Sequence, residues 1–445
     1  MSWSRARPSA AGSVSPTEAA PPPKGREAMS STSSAQSGTA RLIVILGALV
    51  ALGPLSTDAY VPGLPALTRD LGASASGAQL TITACLVGLA VGQLLAGPMS
   101  DALGRRRPLI VGLAVYTIAG LLCALSTDVW VLIALRLLQG IGGAFGIVIA
   151  YAVVRDRTSG AAAARFFALL MLVTGLAPVF SPLAGGQLLR FTTWEGIFVA
   201  LAVLSAVMLL ACLVGLPETL PAERRHGGGL RAMGPVFARL LADRTFTGYV
   251  LANGFAFAAM FAYISGSPYV LQDIHGLSPQ EYSAVFAVNA LGLVVAAQLS
   301  GRLVRHTGAR MLLAAGLTGS AVGGLGVLVA AVTQAGLWPL LVALFVAVAS
   351  VGLVMPNAAA LALQDHGEHA GSAAALLGFS QFLIGGALAP LAGAGGTGTA
   401  VPMGAVMAVL GCLSLLVFVA LARGGSGLRA DDAAGLDEVR APAGP

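Results

Sequence analysis

Two charged side chains stand apart by where they sit. Asp58 is the one carboxylate deep inside an apolar stretch, and Arg136 is the one base so placed. A charge in hydrocarbon is costly unless it is paired or wetted, so an ionisable residue there is a candidate for handling protons, ions or substrate. Pro54, Ala51 and Gly47 share a helical face with Asp58, a small-residue stripe that lets a neighbour or a cavity come close. The competing reading makes Asp58 a cap on a wet outer loop, since Pro62 and Pro65 follow. Gln139, Gly140 and Gly143 share the face of Arg136 at i+3, i+4 and i+7. Arg136 is a candidate for proton coupling with Asp58, or a structural Arg that hydrogen-bonds helix carbonyls.

A second group sits in a short polar turn. Gly97, Asp101, Gly104, Arg105 and Arg106 fall within GPMSDALGRRRPL. Basic residues there would anchor orientation, but an acid adds nothing to orientation, so Asp101 suggests a gating ion pair. Pro178, Pro182, Gly185 and Gly186 lie in one apolar window. Prolines at i and i+4 remove two helix donors, so a kink and a hinge are expected. Asn253, Tyr263, Asn289, Asn357 and Gln381 are polar groups inside other windows. Each alone reads as interhelical glue or as a ligand contact. With Asp58 and Gln139 they form the candidate substrate cavity.

These residues need membrane helices to position them. The 445 residues are 56% hydrophobic and only 10% charged. A soluble domain carries about 25% charged residues. Mean hydropathy is +0.84. A soluble enzyme, a disordered chain and a collagen-like repeat are excluded. A span needs roughly 20 apolar residues, and such windows fall at 42–62, 79–99, 108–126, 129–152, 164–188, 195–216, 245–268, 282–301, 310–334, 337–360, 371–394 and 400–422. The reading is an all-α integral membrane protein with twelve spans in two six-helix bundles, 41–216 and 245–422. A cytoplasmic central loop, 217–244, joins them, and disordered cytoplasmic tails, 1–40 and 423–445, flank them. No apolar run precedes residue 42, so a cleaved signal peptide is not expected.

Orientation follows from the basic residues. With both termini cytoplasmic, only Arg69 and Arg190 of the 25 Lys and Arg lie outside, and only Arg136 lies within a span. The expected location is the inner membrane. The net charge of +6 is spread over short loops, which argues against nucleic acid as a partner. Cys85, Cys123, Cys212 and Cys412 lie in apolar runs and read as small core hydrophobes. No P-loop, HExxH or Gly-x-Ser-x-Gly stands in the chain, and no histidine has zinc spacing, so neither an enzyme nor a metal site is expected. The turn recurs: GRLVRHTGARMLLA starts at Gly301 after the eighth window, with Gly301 and Gly308 spaced as Gly97 and Gly104 are. Parallel six-span repeats are a transporter architecture.

At these residues the chain resembles the major facilitator superfamily, over nearly all of 41–423. GPMSDALGRRRPL is similar to the family's loop motif, with Ala102 where an Arg is usual. LIALRLLQGIGGA resembles the fourth-span motif through Arg136, Gln139 and Gly140. APVFSPLAGG resembles the fifth-span antiporter motif, with Ser181 in place of a Gly. PLSTDAYVPGLPAL, ISGSPYVLQ and MPNAAALAL are similar to the bicyclomycin and chloramphenicol resistance (Bcr/CflA) branch. The resemblance implies proton-coupled export of small amphipathic drugs by a monomer that uses the proton gradient and no cofactor. The alternative within the fold is export of a small metabolite such as an amino acid or sugar.

Overall fold

A computed structural model describes residues 27–225, 233–366 and 370–422. Every regular element among these residues is helical, as hydrocarbon demands of a chain that must satisfy its own backbone. In order they are α1 (Glu27–Asp58), a 3-10 turn (Val61–Gly63), α2 (Leu64–Asp70), α3 (Ala75–Leu103), α4 (Arg106–Ala124), α5 (Val129–Arg157), α6 (Gly160–Leu188), α7 (Trp194–Gly215), α8 (Met233–Ala242) and α9 (Arg244–Pro268). A π turn (Tyr269–Ile274), α10 (Pro279–Thr307), α11 (Ala309–Val332), α12 (Leu337–Gln364), α13 (Ala370–Leu388), a 3-10 turn (Ala389–Gly393) and α14 (Val401–Leu421) complete the chain. Twelve segments among the described residues are long and apolar enough to cross a membrane. They overlap all twelve expected windows. Side chains are arranged for lipid. Along α7, Val199, Val203, Val207, Leu210 and Val214 form an exposed apolar stripe, whereas Arg136 and Gln139 of α5 are wholly buried.

Residues 27–40, expected to belong to a disordered tail, are helical and continuous with α1. The stretch is rich in Ser, Ala and Thr, without Pro or Gly until Gly38, so a helix started in the apolar run can extend back through it. Residues 1–26 and 423–445 of the expected tails lie outside the described residues. The central loop also contains structure. Val236, Phe237 and Leu240 put an apolar face on α8, which packs against the cluster holding Phe246 and Tyr249.

The repeat seen in the two turns is a repeat of conformation. Gly104 ends α3 at φ 87°, and Gly308 ends α10 at φ 77°. That region is open to glycine and strained for other residues. Two residues on, Arg106 Nη2 donates to the Leu213 carbonyl at 2.7 Å, at the end of α7. Arg310 Nη2 donates to the Ala422 carbonyl at 2.5 Å, after the end of α14. Each half thus caps its last helix with an Arg from its own turn. Helices meet closely where glycines allow: a Cβ at Gly88 would overlap the Leu137 carbonyl, and one at Gly140 the Cys85 carbonyl, so α3 and α5 touch through backbone.

Candidate functional site

The first span is broken at Asp58. The α-helix stops there, Pro62 opens the 3-10 turn and Pro65 opens α2. Proline fits the first positions of a helix and cannot continue one, so this spacing dictates a break and restart. The apolar path nevertheless runs on to Asp70, and Ala59, Tyr60, Val61 and Leu64 are buried. Asp58 is therefore not a cap on a wet loop. It is 4% exposed, and its Oδ1 has no hydrogen-bond partner. Gly185 of α6 makes the break possible by packing against the Ala59 carbonyl, where any Cβ would overlap it.

Arg136 braces the break from α5. Its Nη2 donates to the Ser56 carbonyl at 2.6 Å, and its Nη1 donates to Gln139 Oε1 at 2.6 Å. The guanidinium lies 4.5 Å from the Tyr60 ring centroid and 5.4 Å from that of Phe198. Because α1 ends at Asp58, a side-chain cation caps one of its final carbonyls, that of Ser56, as the negative end of a helix dipole favours. Ser56 Oγ lies 2.5 Å from Tyr116 OH, and Tyr60 OH 3.0 Å from Thr81 Oγ1. These bonds fix the chain on both sides of Asp58. Arg136 makes no ion pair with Asp58 among the described residues, so the two expected coupling residues are joined through the backbone between Ser56 and Asp58.

The second half carries two buried aromatic hydroxyls, Tyr263 and Tyr282. Asn289 Nδ2 donates to Tyr263 OH at 2.9 Å, and Ser267 Oγ lies 3.1 Å from Tyr282 OH. Asn253 Nδ2 donates to Gln381 Oε1 at 3.1 Å, and the same two helices pair Phe257 with Phe382 at 5.5 Å. Asn357 is elsewhere: it donates to Ser300 Oγ and to the Leu353 carbonyl, tying α12 to α10. Its bonds read as interhelical glue, as does the Asn289–Tyr263 bond between α10 and α9.

The hydrogen bonds joining the two halves gather at one end. Gln272 Nε2 donates to the Pro62 carbonyl at 3.0 Å, and Tyr269 OH lies 2.8 Å from Thr68 Oγ1. Gln79 Nε2 donates to the Ser265 carbonyl at 3.1 Å, and Thr83 Oγ1 to the Gly386 carbonyl at 2.7 Å. Gln280 Nε2 donates to the Gly186 carbonyl at 2.7 Å. Pro62, which accepts one of these bonds, stands four residues past Asp58. Pro178 and Pro182 both lie inside the continuous helix α6, and among the described residues the spans depart from α-helix after Asp58, in the π turn after Pro268 and in the 3-10 turn Ala389–Gly393.

At the opposite end the charged turn is closed within the first half. Arg105 is buried, with Nη1 on Asp101 at 2.6 Å and Nε on Asp156 at 2.9 Å. Burial works against its charge, but the two carboxylates outweigh that and hold it more firmly protonated than a free Arg. Glu218 of the central loop accepts the backbone N–H groups of Arg105, Arg106, Thr219 and Leu220. Partial burial would raise its carboxyl, yet those four bonds hold it below the usual range. Asp156 and Glu218 were not singled out from the sequence. Both sit in stretches of mixed charge, where spacing does not distinguish a partner from a solvated acid. Gly97 borders open space and contributes only its carbonyl, to Ser100.

A family model described as Major Facilitator Superfamily matches residues 46–390. An MFS-type transporter of Bacillus subtilis (strain 168), YdgK, itself uncharacterized, is 40% identical over 384 residues, covering 86% of this chain and 95% of its own. A bicyclomycin resistance protein homolog of Haemophilus influenzae is 28% identical over 383 residues, covering 86% and 96%. Multidrug resistance protein MdtL of Shigella flexneri is 30% identical over 250 residues, covering 56% and 63%. Among solved structures, the xylose transporter XylE from E. coli superposes with TM-score 0.67 at 14% identity, over 86% of this chain and 97% of that one. That likeness speaks to the fold alone.

Proposed function

The chain belongs to the Major Facilitator Superfamily, so it is a multi-pass membrane transporter of small molecules and not an enzyme, and from that premise we propose that it exports small amphipathic drugs in exchange for protons. The observation that carries the coupling is Asp58: a buried carboxylate with no cationic partner among the described residues, at a helix break four residues before the seam contact at Pro62. An unpaired charge there is costly, and taking up a proton removes the cost. Protonation and the closed seam therefore support each other. Opening the seam wets Asp58 from the outer side; closing it carries the proton in. Drug arriving from the inner side favours proton release. With both termini cytoplasmic and the chain in the inner membrane, the seam faces outward and this conformation is the one closed to the outside. The resistance proteins among the relatives support a drug as cargo and the Bcr/CflA branch as its place in the family. Phe257, Phe261 and Phe382 beside the amide pair favour a drug over an amino acid or sugar. The unit of transport is one chain.

The test is dye accumulation in everted vesicles from expressing cells. Accumulation abolished by an uncoupler, with release of protons from the lumen on dye addition, is the expected result. Accumulation that ignores the uncoupler would refute antiport.

A further inference from the structure

Asn253 carries a loose end that the coupling scheme does not use. The residue is 1% exposed, and while its Nδ2 donates to Gln381, its Oδ1 has no donor. A buried amide oxygen left without a donor costs about 1–3 kcal/mol and calls for an explanation. Its surroundings suggest one. Phe257 is one helical turn along α9, and its ring meets Phe382 edge to face at 5.5 Å. Phe382 lies on a stripe of α13 that faces the first half. Four residues before it, a Cβ on Gly378 would stand 3.6 Å from Gln93 Oε1 of α3; four residues after it, the Gly386 carbonyl accepts from Thr83. Phe382 therefore lies on the stripe of α13 that meets α3, and Asn253 and Phe257 join it from α9. Asn253, Gln381, Phe257 and Phe382 carry no charge, so the part of a ligand they read is neutral.

We propose that this cluster is a recognition subsite for a neutral aromatic group bearing an N–H or O–H donor. The ring lies against Phe257 and Phe382, and the donor takes the free Asn253 Oδ1 once the half-buried Gln381 turns aside. The inference rests on the reading of the chain as a drug exporter, since it assigns the chemistry its cargo must carry.

Equilibrium binding to the purified full chain in detergent tests it without any proton gradient. The probes are an aminocoumarin and its N,N-dimethyl counterpart, matched rings with and without the donor. The wild-type protein should prefer the aminocoumarin by about 3- to 10-fold, the worth of one neutral hydrogen bond. Asn253→Leu should bind both within about 2-fold, on the same energy scale. Gln381→Met should keep the preference, because the acceptor is on Asn253; this arm stands even if Asn253→Leu fails to fold. Failure of the wild type to bind the aminocoumarin, equal binding of the two, a preference for the dimethyl dye, a preference that survives Asn253→Leu, or its loss in Gln381→Met overturns the proposal. A preference that behaves as expected in a protein showing no proton-linked flux would refute antiport and leave the subsite standing.

Discussion

Replacing Arg136 by Lys separates two ways in which a buried cation could serve Asp58. Acting through charge alone, Lys would suffice. Acting by bracing the break, Arg is required, because one planar guanidinium reaches the Ser56 carbonyl and Gln139 at once while stacking on Tyr60. A single ammonium on that stem holds one acceptor well. The variant thus loses one charge-assisted hydrogen bond, about 1.5–3 kcal/mol. If that energy holds the working geometry of residues 56–60, the competent population falls roughly 10- to 100-fold. Initial rates of dye accumulation in everted vesicles, normalised to protein in the membrane, should fall by about that factor, on the same reasoning. The thermal midpoint of purified Arg136→Lys should fall by a few degrees. Drug binding at equilibrium should change little, since no drug contact is removed. Wild-type rates in Arg136→Lys would refute the bracing role and restore a purely Coulombic one.

Other expectations follow from the two ends of the molecule. Gly104→Ala places a Cβ against Glu218 at a positive φ, so it should cost about 1–2 kcal/mol from the backbone alone and lower the thermal midpoint. Gly97→Ala, which borders open space, should stay close to wild type in the same melt. Glu218 is held below the ordinary carboxylate range, so its stabilisation is fully present above about pH 4.5 and is lost only as pH falls through its lowered value. The melting difference between wild type and Glu218→Gln should therefore be flat from neutral pH to mildly acidic pH; a difference that shrinks already near pH 6 would contradict the assignment. Oxidising the pair Thr83→Cys and Gly386→Cys should lock the seam shut and stop transport, with recovery on reduction, because these residues meet across it. Transport that persists in the cross-linked protein would show that the seam need not open.

Apolar length was enough to find every span, because a helix that must satisfy its backbone in lipid announces itself by some twenty apolar residues. The recurrence of Gly104 as Gly308 was visible for a similar reason: a turn that needs a positive φ admits few residues other than glycine. Asp58 and Arg136 were legible by scarcity. Their relationship was not. Arg136 reaches a backbone carbonyl, and every residue has one, so no side-chain pattern could point to Ser56. The prolines after Asp58 did mark a break. Sequence spacing left open whether that break was wet; burial by α6, α7 and the second half decided it. The seam was invisible for the same reason as Ser56. Gln79, Gln272 and Gln280 all donate to backbone carbonyls on the other half.

The central claim is that Asp58 carries the proton that drives export. Everted vesicles bearing Asp58→Asn measure it directly, because Asn keeps the shape of the carboxyl and removes its titration. Dye should still exchange across the membrane down its own gradient, while accumulation driven by an imposed proton gradient, and proton release on dye addition, should both vanish. Accumulation in Asp58→Asn with wild-type dependence on the proton gradient would contradict the account.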